Sequence, residues 1–150
     1  MLQDLAYRQI LPYLPPRLRR ELEALPEGEL YSLEELRLKA EQPVLLRLAQ
    51  REALLRLSQN SEDGRGSFFI LSLDELNKTV MLLAGSSLYA LEEELRRGYI
   101  TLPGGHRAGV AGRAVLQQGQ VRTLKEISGV NIRVARPVVG AARPLLPLLL

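Results

Sequence analysis

The stretch GYITLPGGHRAGVAGRAVLQQGQVRTLKEISGVNIRVAR, residues 98 to 136, sets most of the predicted architecture. Its segments YITL, HRAGVAGRAVL, VRTLKEI and VNIRVAR read as strands, with turns predicted at Pro103-Gly104-Gly105 and at Gln118-Gly119. The pattern predicts an antiparallel meander. Within it, Gly109 and Gly112 are expected either to mark β-bulges or to let a neighbouring backbone or a ligand approach closely.

Residues before this stretch add further strands and all the predicted helices. Alternation of period two predicts strands over residues 36–40, 44–48 and 53–57, and FFIL at 68–71 reads as a short strand. Helices are predicted near residues 2 to 11, 16 to 25, 72 to 84 and 87 to 97, with Pro26 and Gly28 ending the second one. Ser72 and Glu75 have the spacing of a capping box. The sequence therefore predicts one α+β domain over residues 1–150, an antiparallel sheet between Glu35 and Arg136 with helices packed on it.

Composition excludes several functional classes. Hydrophobic residues make up 46% and charged residues 25% of the 150-residue chain, as in ordinary globular proteins. The chain has no cysteine, which excludes a disulfide scaffold, thiolate zinc sites and cysteine nucleophiles. A single histidine, His106, cannot form a multi-histidine metal cluster, so no metal site is expected.

Arginine dominates the basic residues. The net charge is +3, and only three of the 20 basic residues are lysines (Lys39, Lys78 and Lys125). Because the guanidinium fork matches carboxylates and phosphates, arginine on a strand is compatible with a nucleotide, an acidic partner or nucleic acid. Aromatic residues make up only 5% of the chain, which argues against the base-stacking surfaces of single-strand-binding modules.

No catalytic constellation is recognisable. The phosphate-loop pattern GxxxxGK[ST] does not occur in the 150 residues. His106 has no serine or carboxylate beside it in the sequence that would make it a general base. The glutamates at 34–35 and 92–94 are predicted to lie at helix caps and on exposed helix faces. Residues alone thus predict a binding or assembly domain with arginine-bearing strands.

Longer motifs carry a family resemblance. The segments GSSLYALEEELRRGYITLPGGHR (85–107) and ISGVNIRVAR (127–136), with EELRLKAEQPVLLRL (34–48) before them, closely resemble the stage III sporulation protein AA family of endospore-forming bacteria. That family looks like the type II and type IV secretion ATPases, in which an N-terminal domain precedes a RecA-like motor and the whole assembles as a hexamer. The resemblance implies a fold like the N-terminal domain of those ATPases.

The same resemblance implies a division of labour within a longer protein. ATP and Mg²⁺ belong to the motor of the full-length family, which would begin beyond the apolar segment at 137–150, expected here to start a linker. We therefore expect no cofactor and no ATP hydrolysis in these 150 residues. The implied partners are its own motor domain, neighbouring subunits of a homo-hexamer and membrane proteins of the sporulation channel, with no nucleic acid. The implied location is the mother-cell cytoplasm, peripheral to that channel.

Two arginines match positions that reach nucleotide phosphates in the secretion ATPases. Arg107 in HRAGVAG and Arg133 in NIRVAR are the implied contacts, made to a neighbouring subunit's nucleotide when the ring closes. Gly109 stands where the family pattern has a second arginine. Arg113 is a spare candidate, but it lies six residues from Arg107, roughly 20 Å at about 3.3 Å per residue, so the two cannot hold one phosphate from a straight strand.

Two other functions fit the same sequence. The +3 charge and the arginine-bearing strands are compatible with a nucleic-acid-binding module. The leucine-rich segment at 145–150 is compatible with a structural adapter at a membrane-associated complex. A further alternative is that Arg107 and Arg133 are only exposed strand residues or partners of Glu126.

Overall fold

The computed structural model describes residues 2–58, 67–85, 88–117 and 120–135 and has an α+β fold. The helices in these ranges are α1 (Leu2–Ile10), α2 (Pro16–Glu23), α3 (Glu27–Tyr31), α4 (Leu73–Leu83) and α5 (Leu88–Arg96), with a short 3-10 turn at Leu11–Tyr13. Four of these helices confirm the predicted ones. None of the described helices combines the length and the apolar character that a membrane crossing needs.

Helix α3 corrects the prediction that Pro26 and Gly28 only end a helix. Pro26 instead starts one, because its carbonyl oxygen accepts hydrogen bonds from the backbone N–H groups of Glu29 and Leu30. Proline has no N–H to lose at a helix start, and its fixed φ suits that position. The resulting turn of helix buries Leu30.

Six strands form the main sheet, in the order β4-β3-β1-β8-β7-β6, and every neighbouring pair is antiparallel. The strands in the described ranges are β1 (Leu33–Lys39), β2 (Gln42–Pro43), β3 (Leu45–Leu48), β4 (Glu52–Leu54), β5 (Ile70–Leu71), β6 (Ile100–Thr101), β7 (Arg107–Gln117) and β8 (Gln120–Arg133). The short strands β2 and β5 pair separately. The antiparallel sheet is as predicted, but β1 inserts beside β8, which a plain meander does not include.

A second correction concerns the last strand. The sequence suggested two segments, VRTLKEI and VNIRVAR, whereas Gln120–Arg133 is one continuous strand. Gly129 does not interrupt it because that residue pairs on both sides, with Lys39 of β1 and with Ala111 of β7. The Gln118-Gly119 turn and the linker predicted at 137–150 lie outside the described residues.

The prediction that Glu34 and Glu35 lie at helix caps or on helix faces is wrong, because both belong to β1, which has a β-bulge at this point. Leu33 pairs with Leu48 and Glu35 with Arg47, so Glu34 is an extra residue in the strand. The bulge shifts the alternation, which lets both Leu33 and Leu36 be buried. Glu34 and Glu35 therefore lie on a strand, and Glu35 is only 5% exposed.

One face of the sheet forms the core together with the helices. Paired residues of successive strands share a face, and the pairs Ile132–Leu36 and Ile132–Ala108 are fully buried. Residues of the helices and Leu14, which lies just before α2, join them in one cluster, which includes Ile10, Leu18, Leu22, Leu76, Val80, Leu83 and Leu91. The opposite face of the sheet carries polar residues, and the described helices pack on the buried face.

Arg17 on α2 fixes the start of α4. Its guanidinium makes two hydrogen bonds to the Glu75 carboxylate, at 3.0 and 2.7 Å, and stacks 3.9 Å from the centroid of the Phe69 ring. Glu75 also completes the predicted capping box with Ser72. Burial by itself raises the pKa of Glu75, but the hydrogen bonds from Arg17 and Ser72 outweigh it and hold that pKa below its ordinary value.

His106 joins three distant parts of the fold. Its buried imidazole accepts a hydrogen bond at Nδ1 from the backbone N–H of Ala135 (2.9 Å), so Nε2 carries the proton and donates to Oε1 of Gln9 on α1 (2.8 Å). Gly104 leaves room for this contact, because a Cβ there would lie 2.3 Å from Gln9 Oε1, and its φ of 92° suits glycine. The PGGH turn thus links α1 to the segment just after β8 through the hydrogen bonds of His106.

We expect Glu75→Ala to reduce the free energy of unfolding by about 1–2 kcal/mol, because it removes both half of the capping box and the Arg17 contact. Asp74→Ala, an exposed acidic residue in the same helical turn, is the matched control and should cost about 0.5 kcal/mol. Urea unfolding of the two variants measures the difference. Equal losses would mean that Glu75 acts only through the helix dipole.

Stability should fall as the pH is lowered from 7.5 to 5.5. Burial lowers the pKa of His106 in the folded chain. Below about pH 6.5 the unfolded chain therefore binds a proton at this histidine that the folded chain does not bind. The expected loss is up to about 1.4 kcal/mol at pH 5.5. His106 is the single histidine of the chain, so His106→Asn should flatten this slope in urea unfolding. An unchanged slope in the variant would assign the pH dependence to other groups.

Candidate functional site

A row of polar residues crosses the uncovered face of the main sheet. Strand register pairs Thr101 with Arg107, Arg107 with Arg133, and Arg133 with Glu35. The row continues from Glu35 to Arg47 on β3. Because directly paired residues project to the same side, these side chains share the face that the helices leave open. Folding thus places two arginines that are 26 positions apart in sequence at adjacent positions.

Arg107 and Arg133 form a pair of like charges. Side chains at directly opposite positions of an antiparallel pair have Cβ atoms about 4.5–5.5 Å apart, and like charges there destabilise the sheet. Both side chains are exposed. Among the described residues, neither guanidinium has a carboxylate within 4.0 Å. An anion between them would relieve the repulsion, so this pair is the candidate anion site.

A small cleft lies beside the arginine pair. It has a volume of about 230 Å³ and is lined by Tyr99, Arg107, Gly109, Asn131 and Arg133. Nothing lies within 4 Å of the position where a Cβ of Gly109 would be, so the backbone forms an open floor there. The Asn131 amide can donate and accept hydrogen bonds at the same place. The cleft therefore combines two cations and an amide, which suits a phosphate group.

Glu35, the acidic residue of the row, forms a hydrogen bond with a third arginine, Arg37. Arg37 Nε donates to Glu35 Oε1 at 3.2 Å, and this hydrogen bond raises the pKa of the Arg37 guanidinium. Glu34 lies 3.9 Å from Arg47 Nε. A depression of about 480 Å³ between these residues is also lined by Arg133. Arg133 thus faces carboxylates on one side and Arg107 on the other.

Other residues singled out in the sequence lie elsewhere or have structural roles. Arg113 pairs with Glu126 farther along the β7–β8 hairpin, so register brings neither residue to the pair formed by Arg107 and Arg133. Gly112 sits at a bulge, where a Cβ would lie 2.5 Å from the Glu126 carbonyl oxygen. Gly112 thus shows both uses expected for the glycines, a bulge and a close approach by neighbouring backbone, whereas Gly109 has open space around it.

Two residues of the cleft were missed by sequence reasoning. Tyr99 stacks on Arg107, with the guanidinium carbon 4.5 Å from the ring centroid. Asn131 belongs to the same face because it is two residues from Arg133 on β8. That shared parity within VNIR was a usable signal for Asn131. No sequence signal pointed to Tyr99, since its approach to Arg107 depends on the pairing of β6 with β7.

The described residues contain no group of acidic or histidine side chains that could hold a metal ion. His106 does not contribute chemistry to the cleft, because both of its ring nitrogens are engaged within the fold. The arrangement in the cleft supports binding of an anion.

Comparison with known proteins assigns the chain to a family. A curated relative, "Stage III sporulation protein AA" of Bacillus subtilis (strain 168), is 38% identical over 141 residues, which cover 94% of this chain and 42% of the relative. The chain therefore spans less than half the length of that relative. No solved structure matches the chain. The family model "Sporulation stage III, protein AA" matches residues 6–150, and the chain belongs to this family.

Proposed function

We propose that this chain is the N-terminal assembly and nucleotide-sensing domain of a hexameric secretion-type ATPase that powers a channel between mother cell and forespore. Membership of the sporulation stage III protein AA family supports a role in endospore formation. The observation that carries the nucleotide part of the proposal is the adjacent placement of Arg107 and Arg133, without carboxylate partners, beside a cleft on the open face of the sheet.

The proposed mechanism is electrostatic. When a neighbouring subunit closes onto the open face, the two guanidinium groups contact the phosphates of that subunit's nucleotide. Negative charge shifts among the phosphate oxygens during phosphoryl transfer, and cations that reach them only in the closed ring stabilise the transition state more than the ground state. The arginine pair would thereby couple hydrolysis to assembly.

ATP and Mg²⁺ are assigned to another part of the whole protein. The 150 residues contain no phosphate-loop pattern, and their described part has no acidic cluster for a cation. Mg²⁺ bound with ATP would neutralise charge on the phosphates there. The partners in this proposal are the motor domain of the full-length protein, neighbouring subunits and membrane proteins of the channel. We place the assembly on the mother-cell side, peripheral to the membrane, and propose no nucleic-acid partner.

The 150-residue chain alone should show no ATP turnover, because it has neither a phosphate loop nor a candidate base. A steady-state phosphate-release assay on the purified chain measures this. Turnover that copurifies with the chain through successive columns and is lost in Arg107→Ala would contradict the division of labour.

In the full-length protein, Arg107→Ala and Arg133→Ala should each lower kcat by up to about 10³-fold while changing nucleotide affinity much less. The physical reason is that the arginines act on charge that develops only in the closed ring. ATP turnover, nucleotide binding and hexamer formation are measured for each variant. Arg56→Ala is the control, since Arg56 is exposed and stacks on Phe68 at 4.9 Å, outside the candidate site. Turnover equal to that of Arg56→Ala in both variants would refute the nucleotide contact.

A further inference from the structure

The arginine pair has an electrostatic problem that the fold must solve. Arg107 and Arg133 are paired across β7 and β8, and like charges at such positions push each other away. Arg133 has Glu35 at the next position across the sheet, on β1. Arg107 has Thr101 as its neighbour on the other side, which offers no charge. Something other than a carboxylate must therefore direct the Arg107 side chain.

The side chain of Arg107 stacks on the ring of Tyr99. The guanidinium carbon of Arg107 lies 4.5 Å from the ring centroid, within the range of a cation–π interaction. Among the described residues, Arg107 is the only cation stacked on this ring. The contact needs no acidic group, so it orients Arg107 without neutralising the charge that a phosphate would require.

The residue that follows Tyr99 is anchored in the sheet. Ile100, the next residue, is 2% exposed and pairs with Ala108, which is fully buried. Tyr99 directly precedes that pair in the chain and lines the cleft together with Gly109. Since no atom lies within 4 Å of a Cβ position on Gly109, the ring has room to lean towards Arg107.

We propose that Tyr99 is the positioning residue for Arg107: its ring face holds the guanidinium at the rim of the cleft, ready for an incoming phosphate. The inference rests on the proposed nucleotide contact of Arg107. A side chain that is already oriented loses less conformational freedom when its ligand arrives, so the ring contributes to the rate through Arg107 and not by touching the nucleotide.

The test is a set of variants in the full-length protein: Tyr99→Leu, Tyr99→Phe, Arg107→Ala and the double variant Arg107→Ala/Tyr99→Leu. Tyr99→Leu should lower kcat by about two- to fivefold, the size expected for an exposed cation–π contact, with little change in KM. Tyr99→Phe keeps the aromatic ring, so its kcat should stay within about twofold of that of the original protein. In the Arg107→Ala background, Tyr99→Leu should have no further effect, since the group that it positions is gone.

The outcomes separate the two proposals. A normal kcat in Arg107→Ala refutes the nucleotide contact itself. A large effect of Arg107→Ala combined with a normal kcat in Tyr99→Leu overturns the positioning role alone. So does a Tyr99→Leu loss that Tyr99→Phe fails to rescue, because the hydroxyl would then matter and not the ring. A loss of kcat that persists undiminished in the double variant also overturns it, since Tyr99 would be acting independently of Arg107.

Discussion

Strand β8 pairs with β1 on one side and with β7 on the other, and this double pairing is the constraint on which the remaining structure depends. It joins the first strand of the chain to the last and completes the surface on which the helices pack. The register matters as much as the pairing. A slip by one residue would turn Arg133 towards the core and Ile132 towards solvent, so burial of Ile132 enforces the position of the arginine.

The hydrogen bonds of His106 stabilise the end of β8 as well. The imidazole of His106 accepts a hydrogen bond from the backbone N–H of Ala135, just beyond β8, and donates one to Gln9. These two bonds connect the end of the sheet to α1. Arg107 follows His106 directly, and Arg133 is two residues before Ala135. The ends of the two strands that carry the arginines are therefore held by a neutral histidine, whose burial favours the uncharged form.

On the open face of the sheet, two arginines repel each other while the nearby carboxylates contact other arginines. Two like charges at paired positions reduce the stability of the sheet. Among the described residues, Glu35 contacts Arg37 and Glu34 contacts Arg47, whereas Arg107 and Arg133 have no carboxylate within 4.0 Å. Glu35, though buried, accepts its hydrogen bond from Arg37. Such an arrangement keeps positive charge available on one part of the face, and the proposed contact with a phosphate relies on that charge.

Local signals in the sequence determined the helices and most strands. The capping box at Ser72, the alternation along β1, β3 and β7, and the turn at Pro103-Gly104-Gly105 act within a few residues, so they can be read without knowing the fold. The family resemblance also pointed to Arg107 and Arg133. Their adjacency could not be read in this way, because it depends on strand register between distant segments. The same holds for the buried state of Glu35, for the structural role of His106 and for the ring of Tyr99 on Arg107. Each of these contacts joins residues from different elements, and only packing of the core fixes which of them meet.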